Sequence, residues 1–486
     1  MSRQQMNKEL IQARAEIEEI INSRSWRLTK PLRWFGTKAR NVVSLVSFIN
    51  DLRNKEGGIL RITRKVFFSL KNSGARNLHS QLVRKFLYFI NSGSKSASET
   101  PVFAPTPQLR LKKDSYHREP YVLFVSHDAS RTGAPIFLLT LIRYLTRFHN
   151  IRPEIILRSG GELENEFRKL GSTNVLQHKD IIDSQTLHRY KKSNIRLVYS
   201  NTITNGAIQT RLKTLGCPII CHVHELKHSI DNYFGGENLK EVLKSTSLFL
   251  AGSRAVKSYL CDELCLPADK VKVVYPFIDI AHNIKHATSL KTKLNIGHDT
   301  LIVGGCGVIG WRKGTDLFVQ LARNVIEKTN KPVCFIWVGG YAQDNNYRYF
   351  EYDASVAKIS QAIKFTGFVK EHLPYFACFD IFVLTSREDP FPLVALDAAS
   401  LKKPIVCFDQ SGGITEFVKD GAGIISPYLD LSHMTDAVLS LLRDRSYRQS
   451  LGRNAGAKVR ELHDISNGGA CVAQIINAYI SKSEVS

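Results

Sequence analysis

The feature that most constrains the fold is an alternation that begins at Tyr121, in which short apolar runs are separated by longer amphipathic segments. The runs have the length of strands, and the segments between them have the apolar spacing of helices. A strand, a helix and a second strand form a parallel pair, so the alternation predicts parallel sheets covered by helices. The first series reads YVLFVSH, PEIILRS, IRLVYSN, PIICHVHE, SLFLAGS and VKVVYPF. The second series begins near Leu301 and reads LIVGGCGV, PVCFIWVGG, AIKFTGF, DIFVLTS, KPIVCFD and GAGIISP.

Two such series in a chain of 486 residues predict two domains, because a single core seldom grows that large. The fold class we predict is α/β, with two Rossmann-like, doubly wound domains that face each other. The predicted boundaries are 1–114 for a basic, helical extension with a linker, 115–285 for the first domain and 286–465 for the second. Residues 466–486 read as a C-terminal helix, which we expect to pack back on the first domain.

Positive charge is concentrated at the N-terminal end of the chain. The formal net charge is +23, and residues 1–114 hold 22 Lys and Arg against 8 Asp and Glu. This excess predicts an anionic partner. Trp26, Trp34 and Phe35 suit the headgroup level of an anionic membrane, and a helix pair docked on the folded domains stays open as the alternative. We find no nucleic-acid recognition motif and expect no nucleic-acid partner.

The cysteines and the apolar segments bear on where the chain works. There are nine cysteines and no C-x-x-C pair, a pattern that supports neither a zinc ribbon nor a disulfide framework. We find no signal-peptide pattern, and the longest uncharged apolar run near the N-terminus is far below the ~20 residues of a spanning helix. We therefore expect a cytoplasmic protein, attached peripherally to the inner face of the cytoplasmic membrane through residues 1–114.

Two loops at predicted strand ends are suited to binding an anion, since ligands of open parallel sheets bind at the carboxyl ends of strands. In SHDASRTGAP, Gly133 would let the backbone approach a ligand, although a simple tight turn fits as well. In GVIGWRKGTDLF, Gly310 precedes Arg312 and Lys313 at a helix start. The arginine can bind a phosphate with two parallel N–H groups and the lysine acts as a point charge, so the pair suits a diphosphate. The alternative is a solvated basic turn.

A third loop, ICHVHELKHS, is rich in histidine. Its spacing differs from the H-E-x-x-H of helical zinc sites, so metal binding is not our prediction. We predict that His224 makes a polar contact in the cleft. Either His224 or His222 could instead be a structural histidine, and the sequence leaves that choice open.

The stretch SREDPFPLVALDAAS holds one carboxylate at a helix entrance and another inside an apolar helix. Asp389 follows a predicted strand and is a candidate N-cap. Pro390 and Pro392 lack a backbone N–H, and the first N–H groups of a helix have no partner within the helix in any case. Asp397 lies about two turns further on, where a buried carboxylate is costly unless it is hydrogen-bonded. Sugar hydroxyls would supply donors at both positions.

These residues resemble the motifs of glycosyltransferase family 4. SREDPFPLVALDAA resembles the E-x7-E motif, with Asp389 and Asp397 in the two Glu places, and WRKGTDLF resembles EKGVDLL, with Lys313 as the lysine. KPIVCFDQSGGITEFVKDGAGIISP, VSHDASRTGAP and HVHEL resemble three further family segments in the same order. NSRSWRLTKPLRWFG also resembles a segment found beside glycosyltransferase domains of bacterial surface-polysaccharide enzymes.

The resemblance implies a GT-B fold, a nucleotide diphospho-sugar held by the second domain, and retention of the anomeric configuration. It implies that Asp397 binds the ribose, that Asp389 contacts hydroxyls of the donor sugar and that Lys313 neutralises the diphosphate. His224 would contact the sugar from the first domain.

The backbone that follows the first carboxylate is also implied to hold the donor, here through Pro390, Phe391, Pro392 and Leu393. The chain departs from the family pattern in that both glutamates are aspartates and the usual arginine before the lysine is Val308. Arg312 is the candidate for that missing phosphate contact. Glu388, beside Asp389, is a second candidate for the first carboxylate.

The activity predicted is transfer of a sugar from a nucleotide diphospho-sugar to a saccharide or lipid-linked acceptor in cell-surface polysaccharide biosynthesis. No D-x-D motif occurs, so we expect no metal or other cofactor, with cations stabilising the departing phosphate. No covalent nucleophile is evident, which favours front-face attack. A non-catalytic GT-B scaffold that binds carbohydrate or membrane, and a sugar-nucleotide epimerase, stay open as alternatives.

Overall fold

The computed structural model describes residues 121–177, 182–234, 236–280, 287–340 and 345–485. The predicted basic extension, with its helices and its membrane contact, lies outside these ranges. Two parallel sheets form the framework, as the alternating pattern predicts.

The first sheet has seven strands in the order β3-β2-β1-β4-β5-β6-β7. Its neighbouring strands are parallel throughout. Its strands are β1 (Tyr121–Ser126), β2 (Arg152–Leu157), β3 (Ser172–Val175), β4 (Ile195–Asn201), β5 (Ile219–Val223), β6 (Leu248–Ala251) and β7 (Val271–Val273). Its helices are α1 (Gly133–Phe148), α2 (Glu164–Arg168), α3 (Ser184–Lys192), α4 (Gly206–Leu212), α5 (Lys227–Ser229), α6 (Gly236–Ser245) and α7 (Arg254–Ser258).

The second sheet has six parallel strands in the order β10-β9-β8-β11-β12-β13. This order is the Rossmann order, which confirms the predicted fold class. The strands are β8 (Leu301–Cys306), β9 (Val333–Val338), β10 (Ile363–Phe365), β11 (Ile381–Leu384), β12 (Ile405–Phe408) and β13 (Gly423–Ser426). The helices are α8 (Ala287–Lys293), α9 (Thr315–Glu327), α10 (Asn345–Val356), α11 (Leu373–Cys378), α12 (Leu393–Ser400), α13 (Ile414–Val418), α14 (Leu431–Arg443) and α15 (Arg445–Leu462).

Each sheet is buried on both faces, which explains why its strands read as continuous apolar runs. In β1, Val122 and Phe124 enter the core on one face, and Leu123 and Val125 enter the core on the other. The sequence pattern missed β3, because STNV is polar and lies at the edge of the sheet. Every other strand coincides with a predicted run.

The last helix, α16 (Ile465–Val485), packs on the first domain. Val472, Ala473 and Ile476 are fully buried in the core that covers β1 and β4. The chain therefore returns from the second domain to the first. Over the described residues, no helix is both long enough and apolar enough to cross a membrane.

We predict that Ile476→Ala lowers the free energy of unfolding by about 2–5 kcal/mol, because it leaves a cavity in the first domain's core. Asn477→Ala, on the exposed side of the same helix, is the control and should change it by no more than about 0.5 kcal/mol. Urea unfolding followed by circular dichroism measures both. Equal effects of the two substitutions would contradict the packing of α16.

Candidate active site

The second sheet opens a crevice between β8 and β11, where its strand order reverses. Ligands of such sheets bind outside the carboxyl ends of the strands at this point. The loop after β8 carries Arg312 and Lys313, and the loop after β11 carries Asp389. The predicted cations and the first predicted carboxylate therefore lie on the two sides of the crevice.

Lys313 and Asp389 form a buried ion pair across the crevice. The Lys313 Nζ donates a hydrogen bond to Oδ2 of Asp389, and the two side chains are 14% and 7% exposed. Burial lowers the pKa of Lys313, while the charge of Asp389 acts to raise it. Since both charges are removed from water, each depends on the other for its stabilisation.

The turn that carries Lys313 requires a glycine at its end. Trp311–Lys313 forms a single 3-10 turn, and Gly314 follows it with a φ of 65°. A Cβ at Gly314 would overlap the carbonyl oxygen of Thr385, at the end of β11. Because only glycine combines this φ with so close an approach, the β8 loop lies directly on the β11 loop and brings Lys313 within reach of Asp389.

Asp389 is not the helix N-cap that the sequence predicted. Helix α12 begins at Leu393, with Pro392 in the N-cap position. The prediction was wrong because residues that precede proline favour extended backbone. Pro390 and Pro392 therefore delay the helix, and the Asp389 side chain pairs with Lys313 instead.

Asp397 lies inside α12 among fully buried residues, with Leu396 and Ala398 on either side in the chain. Its side chain is 13% exposed. Its Oδ2 accepts a hydrogen bond from Nε2 of His372 at 2.8 Å. The sequence analysis missed His372, which lies 25 residues earlier, after β10, because no local pattern links the two positions.

Arg312 and Glu388 contact each other through the backbone. The Nη1 of Arg312 donates to the carbonyl oxygen of Glu388 at 3.2 Å. The Glu388 carboxylate turns to the first domain, where it accepts bonds from the backbone N–H groups of His228 (2.8 Å) and Ser229 (3.1 Å) and from the Ser229 hydroxyl. In this structure Glu388 joins the domains, and its predicted contact with the donor stays a prediction.

A second glutamate makes the same kind of contact and was missed by the sequence analysis. The Glu416 carboxylate accepts hydrogen bonds from the backbone N–H groups of Arg254 (2.9 Å) and Ala255 (3.3 Å), at the start of α7. The hydroxyl of Tyr275 donates to it at 2.8 Å. Burial and the Glu416 bond raise the pKa of Tyr275 to about 12. Both glutamates thus hold the domains together at one seam.

The first domain presents His224 at the end of β5, two residues before Leu226, which contacts the Gly412 region of the second domain. The Nε2 of His224 is 2.8 Å from Oδ1 of Asn201. Asn201 uses its amide nitrogen to donate to the carbonyl of Ala134, at 2.8 Å. Its oxygen therefore accepts from His224, so Nε2 carries the proton and Nδ1 is an acceptor.

The protonation of His224 follows from its surroundings. Burial, with a smaller contribution from His127, lowers the pKa of His224 to about 3, so the imidazole is neutral at neutral pH. His222 stacks on it, with ring centroids 4.3 Å apart. The His222 Nδ1 is 2.7 Å from the hydroxyl of Tyr199, and burial lowers the pKa of His222 as well. His222 is thus enclosed in the first domain's interior.

The remaining predicted site residues lie around these groups. A Cβ added at Gly133 or at Gly310 would meet no atom within 4 Å, so both glycines border open space. Leu393 packs against the first domain's core. Three residues of the same segment are buried: Pro390, Phe391 and Pro392.

Two further features concern metal binding and open space near the crevice. In the part of the chain that the structure describes, no cluster of three or more His, Cys, Asp and Glu side chains is placed to hold a metal ion. A cavity of about 730 Å³ lies at the seam between the domains. Its lining includes Trp311, His228, Arg387, Gln410, Glu416 and Tyr428.

Comparison with known proteins places each domain in a family. Residues 131–282 match the family described as Glycosyltransferase Family 4, and residues 298–444 match Glycosyl transferases group 1. Together the two matches cover more than half of the chain.

Individual proteins resemble the chain more distantly. The alpha-galactosylglucosyldiacylglycerol synthase of Streptococcus pneumoniae is 29% identical over 151 residues, which are 30% of this chain and 39% of that protein. The O-antigen biosynthesis glycosyltransferase WclY of Escherichia coli is 22% identical over 295 residues, 59% of this chain and 79% of that protein. The chain thus matches about two fifths of the length of the Streptococcus pneumoniae protein.

A solved structure shares the fold. Anabaena Alr3699/HepE, crystallised with UDP and glucose, superposes with a TM-score of 0.65 at 18% identity, over 74% of this chain and 100% of that one. This likeness confirms the predicted GT-B fold. The two family matches show that the chain belongs to the glycosyltransferases. Its first domain matches Glycosyltransferase Family 4, and its second domain matches Glycosyl transferases group 1.

Proposed function

We propose that this protein transfers a sugar from a nucleotide diphospho-sugar to a saccharide or lipid-linked acceptor in the synthesis of a cell-surface polysaccharide. The observation that carries the proposal is the buried pair of Lys313 and Asp389 across the crevice, with Asp397 near it. Besides burial, the charges of Lys313 and Asp397 both act on the pKa of Cys306, at the end of β8. The O-antigen relative and the structural neighbour with UDP and glucose support the substrate class.

In the proposed complex, the diphosphate lies beside Arg312 and Lys313, close to the start of α9. The unpaired N–H groups of a helix's first turn and its dipole favour an anion. Gly310 leaves open space on the same side of the loop. We assign the positive charge that stabilises the departing phosphate to these protein groups, and we propose that no metal or other cofactor is needed.

The donor sugar and the ribose are assigned to the carboxylates. Asp397 accepts from the ribose hydroxyls, and Asp389 accepts from a hydroxyl of the sugar while it keeps its bond to Lys313. The backbone N–H groups of Phe391 and Leu393, near the start of α12, are the proposed donors to the sugar. The neutral His224 accepts from another sugar hydroxyl through Nδ1.

We propose that transfer proceeds by front-face attack with retention. The bond from the anomeric carbon to the phosphate oxygen breaks, the bond to the acceptor oxygen forms, and the acceptor's proton leaves on the departing diphosphate. Carboxylates at the domain seam are already engaged: Asp389 by Lys313, Glu388 by Ser229, and Glu225 by Thr202 and by the backbone N–H of His224. Because these carboxylates already form hydrogen bonds, they suit a role in hydrogen bonding to the substrate better than attack on the anomeric carbon, which would form a covalent glycosyl intermediate.

Lys313→Met should lower kcat/KM by about 10²–10³-fold, because the departing phosphate loses a preorganised cation. Nucleotide release from a panel of nucleotide-sugars, with saccharide and lipid-linked acceptors, measures the rate. Lys328→Met removes an exposed lysine after the far end of α9 and should leave the rate unchanged. Release from no donor would contradict the proposed activity, and an inverted product anomer, seen by proton NMR, would contradict retention.

Asn201→Asp should create a pH dependence that the wild type lacks. A carboxylate beside Nε2 favours protonated imidazole and raises the pKa of His224 from about 3. An opposite charge at this distance raises a pKa by about 1–3. The activity of the variant should therefore fall as pH is lowered from about 7 to about 5, because protonation removes the acceptor at Nδ1. The double variant Asn201→Asp, His224→Gln should lose this pH dependence. A wild-type profile for Asn201→Asp would contradict the role given to His224.

The membrane contact proposed for residues 1–114 has its own test. Deletion of these residues, which hold most of the excess positive charge, should abolish co-sedimentation with anionic vesicles. Donor binding, measured by calorimetry, should persist. Unchanged sedimentation of the shortened chain would contradict the membrane contact, and high salt should weaken the binding of the full chain.

A further inference from the structure

A histidine stands directly beside the carboxylate assigned to the ribose. The Nε2 of His372 is 2.8 Å from Oδ2 of Asp397. Of the described residues, only His372 forms a hydrogen bond with this side chain, whose neighbours along α12 are apolar. A carboxylate oxygen in such surroundings needs a partner, and the imidazole supplies one.

The position of His372 is set by packing. It ends the loop after β10 and immediately precedes α11. Its ring lies on Phe376, one turn later, with ring centroids 4.9 Å apart. Phe376 is fully buried and packs on Phe379 and Phe382. The imidazole therefore rests on the core of the second domain, which limits its motion.

The bond to His372 leaves the carboxylate able to accept further hydrogen bonds. A carboxylate offers about four lone-pair sites, and His372 occupies one of them. The Oδ1 atom accepts nothing from the described residues. Two adjacent hydroxyls could donate to the remaining acceptor positions of the carboxylate. A ribose has such a pair in its 2′- and 3′-hydroxyls.

We propose that His372 is a positioning residue that holds the Asp397 carboxylate in the orientation that reads the ribose diol. The pair then selects ribonucleotides over 2′-deoxyribonucleotides. This inference rests on the proposed function and extends it, because it adds His372 to the residues that recognise the ribose. Because an aspartate side chain has only two torsions, the single bond from His372 is enough to fix the orientation of its carboxylate.

The test is calorimetric binding of UDP, GDP, ADP and CDP and of their 2′-deoxy forms to the full chain. We expect the wild type to bind one ribonucleotide at least about tenfold more tightly than its deoxy form, as a lost bond to a charged group implies. His372→Phe keeps a ring on Phe376 but lacks the donor, and it should reduce this ratio to within about threefold. His372→Gln, which keeps a donor, should restore most of the ratio.

Two further variants separate positioning from folding. His433→Phe removes another histidine of the same domain, which bonds Ser426, and should leave the ratio at the wild-type value. In an Asp397→Ala background, His372→Phe should have no further effect on the ratio, because there is no carboxylate left to hold. A merely structural histidine would weaken ribo- and deoxy-forms equally.

The outcomes distinguish this inference from the proposal beneath it. A wild type that binds a nucleotide but shows the same ratio as His372→Phe would overturn the role of His372. Preference for a deoxynucleotide would overturn the ribose selection. Binding of no nucleoside diphosphate at all would overturn the donor site itself, and the inference with it.

Discussion

The ion pair between Lys313 and Asp389 is the interaction on which the arrangement of the site depends. It joins the loops that follow β8 and β11, the two strands beside the reversal of strand order. Because both charges are buried, removal of either leaves the other without compensation, a situation that typically costs several kcal/mol. Gly314 makes the pair possible by letting one loop lie on the other. A ligand diphosphate placed here would meet a cation that is already positioned.

The two domains contribute in different ways. The second supplies charge, with Lys313 and Arg312 near the two aspartates. The first supplies a neutral imidazole, whose tautomer follows from a chain of hydrogen bonds from Ala134 through Asn201 to His224. Contacts of Glu388 and Glu416 with backbone N–H groups of the first domain fix how these parts face each other. The distance and orientation between the two domains' site residues therefore depend on the hydrogen bonds of these two glutamates as well as on the site residues themselves.

Much of the fold could be predicted from the sequence. Strands buried on both faces appear as continuous apolar runs, and the segments between them have the apolar spacing of helices. Lys313, Asp389 and Asp397 could be selected because charge at strand ends and inside an apolar helix needs an explanation. Contacts between residues far apart in the chain could not be predicted. His372 and Asp397 are 25 residues apart, and Glu416 and Arg254 are 162 residues apart. The helix start was misplaced at Asp389, since the two prolines that follow delay the helix to Leu393. The Asp389 side chain pairs instead with a lysine from another loop.

The most direct test of this account is a crystal structure of the protein with the nucleoside diphosphate that binds best. The account predicts the phosphates between the Lys313 turn and the start of α9, and the ribose against Asp397, with the His372 bond kept. Nucleotide bound instead in the cavity lined by Trp311 and Tyr428, away from the Lys313 and Asp389 pair, would contradict it.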